Sequence, residues 1–170
     1  NGMDVLNGEE GELIIRGPFT IQSYYNQEVS MKDKFTSDGF YRTGDKVRWD
    51  STYGYQVQGR ITDQINRSGE KIEPREIEIF ISEHPNIDEA VVVGVEDFLM
   101  GERICAFIMT PDEKINLSHI RKFLMEKGLA TYKLPDQLVK IDEWPLTSVK
   151  KINRVKLREI ANNTAGKEKI

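Results

Sequence analysis

Apolar positions along this 170-residue chain change rhythm about a third of the way in. Up to Arg60 they come in short β-type runs. Glu12–Arg16 (ELIIR) has a β-branched centre and is closed by Gly17-Pro18, which predicts a strand. Val47-Arg48-Trp49 and Tyr55–Gln58 flank Ser51–Gly54 and predict a β-hairpin. Between them, Glu28–Phe35 is expected to form a short helix and Ser37-Asp38-Gly39 a turn. The following FYRTGD places Phe40, Thr43 and Asp45 around Gly44, in a tight turn where the main chain could approach a ligand closely.

After Gly59-Arg60 helical periodicity appears. Ile61–Asn66 and Lys71-Ile72 bracket Ser68-Gly69 and predict a second, small hairpin. Pro74 suits a first helical turn, Glu76 and Glu78 suit its dipole, and Ile77, Phe80 and Ile81 recur at i, i+3, i+4 before His84-Pro85 ends the helix. Val91–Val93 with Val95, and Ile104–Met109, read as buried strands joined through Asp97–Glu102. Asn116 or Ser118 can cap a helix carrying Ile120, Phe123 and Leu124, with Gly128 as its stop. Leu138–Ile141 predicts a strand, and Asn153 can cap a last helix with Val155, Leu157 and Ile160. The tail NNTAGKEKI is expected to be disordered.

These elements imply an α+β chain. A β-rich N-terminal piece (1–60) precedes a compact α+β domain (61–170), in which a small hairpin accompanies a three-stranded sheet packed by helices. The boundary is expected at Gly59–Asp63.

Composition narrows the chemistry. Hydrophobic residues make up 38% and charged residues 31%, and the apolar runs are too short to span a membrane, so a cytoplasmic protein is expected. The start has neither Met nor a signal-peptide pattern and reads as mid-sequence, so a fragment is expected. A lone Cys105 in an apolar run excludes an intrachain disulfide, and two histidines without Cys/His spacing argue against metal ligation by these residues. The net charge of −4 is uneven: residues 140–170 hold eight Lys/Arg against four Asp/Glu. That basic end could face phosphates, but residues 145–170 contain no aromatic side chain, which disfavours nucleic acid.

Three motifs occur in order: FYRTGD (Phe40–Asp45), GRITDQINRSGEKIEPREIE (Gly59–Glu78) and PLTSVKKINRVKLRE (Pro145–Glu159). Their order and spacing resemble the C-terminal third of adenylate-forming enzymes, the superfamily of acyl-CoA synthetases, luciferases and nonribosomal adenylation domains. DQINRSGEKI, EDFLMGERICAFI and KLPDQLVKIDEWPLT look most like the aryl-acid AMP ligases, including the 2,3-dihydroxybenzoate-AMP ligases. Those enzymes activate 2,3-dihydroxybenzoate or salicylate for siderophore assembly.

The resemblance implies that ATP and a carboxylic acid give an acyl-adenylate, whose acyl group then passes to a phosphopantetheine thiol of an aryl carrier protein or CoA. A mobile C-terminal lid would rotate between these half-reactions. The phosphate loop, acid pocket and Mg²⁺ ligands would lie in an N-terminal adenylation domain that this sequence lacks, so the fragment alone is expected to be inactive. Other acyl-CoA synthetase or nonribosomal adenylation lids, or a non-catalytic carrier-binding module, share these features.

The resemblance assigns residue roles, each beside a plainer one. Asp45 would accept both ribose hydroxyls; alone it would read as an Asx-turn. Arg60 would also reach the ribose, or simply pair with a nearby acid. Lys151 would neutralise charge shared by carboxylate and α-phosphate, or belong to a solvated basic turn with Lys150, which stands where the family usually has Gly. Thr62 and Asp63 form the expected hinge, with Thr62 where the family usually carries Asp or Lys. Ser68, Gly69 and Lys71 would line the pantetheine side, or only complete a hairpin. Ser23 replaces a Gly usual in the family.

Overall fold

The computed structural model describes residues 4–21 and 32–165. The chain divides into two compact units, residues 1–62 and 63–170.

In the first unit β1 (Glu10–Ile15), β2 (Tyr41–Asp50) and β3 (Gly54–Arg60) form an antiparallel sheet in the order β1-β2-β3. The Ser51–Gly54 turn is shaped by Asp50, whose Oδ1 accepts the amides of Thr52 (2.8 Å) and Tyr53 (3.0 Å). The expected tight turn at Gly44 is instead part of β2, with Gly44 at φ +74°. Register shifts occur nearby, between Glu12 and Ile14 in the β1 pairing and between Lys46 and Val47 in the β3 pairing. Thr43 Oγ1 accepts the Asp45 amide (3.0 Å) and donates to Leu13 O (2.7 Å), so the irregular backbone is held within the sheet. Of the helix expected over Glu28–Phe35, residues 28–31 lie outside the described residues; Lys32–Lys34 is a single 3₁₀ turn.

The second unit runs β4 (Ile65–Arg67), β5 (Glu70–Ile72), α1 (Pro74–Ser82), β6 (Glu89–Asp97), β7 (Gly101–Met109), α2 (Leu117–Glu126), β8 (Gln137–Lys140) and α3 (Arg154–Ala165). Strand β7 pairs antiparallel with β6 over its full length and parallel with β8. The small hairpin joins them through one pair, Arg67 with Gly101, giving a five-stranded sheet.

Alternation along β6 and β7 sorts the core onto two faces. Val92, Ile104, Ala106 and Ile108 pack with Ile77 and Ile81 of α1 and Ile120 and Leu124 of α2. Val91, Val93, Val95, Cys105 and Phe107 pack with Leu157 and Ala161 of α3. Burial on both faces explains why these strands read as continuous apolar runs.

Caps fall where polar side chains reach orphan amides. Asn116 Oδ1 accepts the His119 amide (3.1 Å), and Asn153 Oδ1 accepts the Lys156 amide (3.1 Å). Gly128, at φ +89°, follows α2. Asn162–Ala165 of the expected disordered tail are helical. Thr164 Oγ1 donates to Ile160 O (2.7 Å) and accepts from the buried Gln137 amide (3.1 Å), which ties this last turn to β8.

Candidate functional site

Two polar centres stand in the two units, and a short 3₁₀ segment (Ile61–Asp63) joins them. In the first unit, Asp45 and Arg60 are directly opposed in the β2–β3 ladder. Arg60 Nε lies 3.1 Å from Asp45 Oδ1, with the arginine side chain 61% exposed and the aspartate 31%. The sheet therefore brings together the two residues expected beside a ribose. It also realises the plainer pairing, and a carboxylate presented this way keeps accepting capacity for hydroxyl donors. Ser23 lies outside the described residues.

At the join, Thr62 is exposed and Asp63 half-buried. Asp63 is bound within its own unit: Oδ2 lies 3.6 Å from Arg154 Nε and Oδ1 lies 3.7 Å from Arg158 Nη2. The β4–β5 turn follows. Ser68 (φ +52°) and Gly69 (φ +91°) both occupy the left-handed region, the requirement of a two-residue type I′ hairpin. No atom lies within 4 Å of where a Gly69 Cβ would stand, so backbone conformation alone accounts for this glycine. Lys71 is exposed as the second residue of β5.

The hairpin is locked from one side. Ser68 N donates to Met100 O (2.7 Å), and the Arg67 guanidinium donates to Tyr132 O (3.1 Å), Leu134 O (3.3 Å) and Asp136 Oδ1 (2.7 Å). Asp136 Oδ2 in turn accepts the Ile104 amide at 2.8 Å. Asp97 Oδ1 accepts the Leu99 and Met100 amides (2.9 and 3.0 Å), and these bonds hold its carboxyl below the usual aspartate range.

Lys151 sits in a closed loop between β8 and α3. A bridge pairs Leu146 with Ile152, and Thr147 N donates to Lys151 O (2.8 Å). Thr147 Oγ1 accepts the Lys151 amide (3.2 Å), and Lys150 N donates to Thr147 O (2.9 Å). Lys150 takes φ +59°, a left-handed conformation unusual for a residue with a Cβ. The loop thus fixes the Lys151 backbone by hydrogen bonds, while its side chain is exposed and its ammonium has no partner among the described residues.

Residues 76–151, from the first turn of α1 to Lys151, match the model of the AMP-binding enzyme C-terminal domain. That match covers 76 of the chain's 170 residues. The chain is 44% identical over 156 residues to the 2,3-dihydroxybenzoate-AMP ligase of Bacillus subtilis, covering 92% of this chain and 29% of that protein. It is also 44% identical over 161 residues to triostin synthetase I of Streptomyces triostinicus, covering 95% and 31%. Among solved structures, ATP-bound MatB from Rhodopseudomonas palustris superposes with a TM-score of 0.84 at 27% identity, covering 92% of this chain and 31% of that one. The chain therefore spans less than a third of the curated relatives it matches.

Among the described residues, no group of three or more His, Cys, Asp or Glu could hold a metal ion. None of the helices among them is long and apolar enough to cross a membrane. Sequence reasoning missed Arg67, Asp136, Arg154, Arg158 and Glu78 as organisers of the loops. Their partners are remote in sequence: Arg154 donates to Val92 O (2.7 Å) and Glu78 Oε1 (3.0 Å), across 62 and 76 positions.

Proposed function

We propose that this chain is the C-terminal part of an aryl-acid AMP ligase. In the full-length cytoplasmic enzyme, an aromatic carboxylic acid such as 2,3-dihydroxybenzoate or salicylate reacts with ATP to give an acyl-adenylate and pyrophosphate. The acyl group then passes to a phosphopantetheine thiol of a carrier protein or CoA. Residues 1–62 complete the large adenylation domain and residues 63–170 form its mobile lid.

The observation that carries this reading is the Lys151 loop: a hydrogen-bonded backbone presenting an exposed ammonium. During adenylation the substrate carboxylate attacks the α-phosphate. Negative charge then concentrates between the two groups, and a lysine supplies compensating charge as a compact cation on a flexible stem. Asp45, braced by Arg60, accepts the ribose hydroxyls. Thr62 and Asp63 serve as the pivot, and the Ser68–Gly69 turn with Lys71 borders the pantetheine after rotation. On this reading the phosphate loop and the Mg²⁺ ligands belong to the larger domain; the sequence has no G-x-x-x-x-G-K-[ST] motif, and no metal cluster stands among the described residues.

ATP–pyrophosphate exchange tests the assignment. In the full-length enzyme Lys151→Ala is expected to reduce exchange on the order of 10²- to 10³-fold, by analogy with removal of a single oxyanion donor. The isolated 170-residue chain, as a control, is expected to give negligible exchange. Near-normal exchange by the variant rejects the role of Lys151, and robust exchange by the isolated chain rejects its dependence on a larger domain.

A further inference from the structure

Four charged side chains gather behind the Lys151 loop. Arg154, the first residue of α3, reaches three ways: Nη1 donates to Val92 O (2.7 Å), Nη2 to Glu78 Oε1 (3.0 Å), and Nε lies 3.6 Å from Asp63 Oδ2. Glu78 Oε1 also accepts the Val92 amide (2.9 Å), so α1, β6 and α3 meet at one carboxylate oxygen. One helical turn on, Arg158 Nε donates to Gly94 O (3.3 Å) while Nη2 lies 3.7 Å from Asp63 Oδ1. The two guanidiniums are matched by the two carboxylates, and all four side chains are at most about a third exposed.

The strengths along this chain of contacts are graded. Links from α3 to β6 and Glu78 are hydrogen bonds of 2.7–3.3 Å, charge-assisted and anchored on backbone in a fully paired strand. Links to Asp63 are ion pairs at 3.6 and 3.7 Å, beyond hydrogen-bond length. Asp63 is the first residue of the second unit, and Lys151 stands three residues before Arg154. A bracket of two guanidiniums therefore connects the residue at the join to the helix that follows the lysine's loop. Lysine could not replace Arg154 here, because a single ammonium cannot present the three-way fork.

We infer that Arg154 and Arg158 are positioning residues: through Asp63, Glu78 and β6 they make the Lys151 loop move as one body with the segment that joins the two units. The inference rests on the ligase reading given above. On that reading, movement at Thr62 delivers Lys151 to the adenylation site only if the loop follows the join without slack. Adenylation then depends on the bracket, whereas transfer from preformed acyl-adenylate, which does not use Lys151, is insensitive to it.

The test compares the two half-reactions in the full-length enzyme. Arg154→Lys is expected to lower kcat for ATP–pyrophosphate exchange about tenfold or more, as misplacement of a reacting group near 1 Å does. KM for ATP and transfer from isolated acyl-adenylate to thiol should each remain within about twofold, since neither reads the placement of Lys151. Arg158→Gln, which leaves the Arg154 fork intact, should show the same split with a smaller loss of about threefold, and it carries the test if Arg154→Lys does not fold. Equal losses in both half-reactions with a lowered melting temperature would mean the bracket is only structural, and unchanged exchange in both variants would mean it is idle; either overturns the inference. Failure of the ligase reading looks different: the wild-type enzyme itself would show no exchange with any aryl acid, or Lys151→Ala would retain it.

Discussion

Lys150 carries a backbone cost that the closed loop around it imposes. At φ +59° its Cβ crowds the backbone, a penalty of about 1–2 kcal/mol for a non-glycine residue. The conformation is imposed by the loop, which must turn sharply enough for Thr147 to bond the Lys151 backbone in both directions. Glycine would remove the strain but adds about 0.4–1 kcal/mol of unfolded-chain entropy. Lys150→Gly is therefore expected to stabilise the second unit by up to about 1 kcal/mol, seen as a raised urea midpoint with unchanged slope. A lowered midpoint would mean that the Lys150 side chain contributes more than its backbone costs. In the sequence this position showed only as a lysine where the resemblance leads one to expect glycine; its left-handed backbone did not show. Asp45 was half legible. TGD marked a carboxylate beside a glycine expected in a tight turn, but that Gly44 bulges within a strand depends on cross-strand contacts from Thr43 to Leu13. Arg67 and Arg154 were not legible, since nothing local distinguishes them from solvated arginines.

At the scale of elements, periodicity predicted what each segment is, and charge contacts decide how loops attach to it. Helices α1, α2 and α3 and strands β6, β7 and β8 follow from apolar spacing and caps. The chain before β8 is attached differently, through Lys133, whose ammonium donates to both carboxylate oxygens of Glu76 at 2.7 Å. Burial acts to lower the Lys133 pKa, but the hydrogen bond and charge of Glu76 outweigh it and hold the ammonium above the ordinary lysine value of 10.5. The sign follows: a raised folded-state pKa stabilises the fold below 10.5 and loses that contribution as pH rises through the folded value. Lys133→Met should therefore lower the unfolding free energy at pH 7 by about 1 kcal/mol, seen as a lower urea midpoint, as loss of a partly buried charged hydrogen bond does. The gap between wild type and variant should narrow toward pH 11, and a gap that stays constant with pH would assign the effect to packing of the lysine stem.

For the whole molecule, the two units differ in what holds them. Both buried clusters lie in the second unit, where a five-stranded sheet is covered on both faces. In the first, Val47 is the sole buried hydrophobic residue among those described, while Tyr53, Tyr55 and Val57 are 77%, 64% and 56% exposed. At about 25 cal/mol per Å² of buried apolar surface, one interior valine does not offset the entropy of ordering three strands. On the proposed reading, the three-stranded sheet is expected to depend on apolar surface supplied by a larger domain. The sequence hid this, because ELIIR and the Tyr53–Val57 segment look like ordinary strands whose partners could lie anywhere. Amide exchange on the isolated 170-residue chain separates the cases. Amides of β6 and β7 should be protected by about 10³-fold or more, consistent with a folded domain of ordinary stability. Those of β1–β3 should exchange within about tenfold of unstructured peptide rates, consistent with local opening near zero free energy. In the proposed full-length ligase the same β1–β3 amides should become protected. Equal protection of both units in the isolated chain would show that the first sheet is self-sufficient, and that its exposed tyrosines are not a surface awaiting cover.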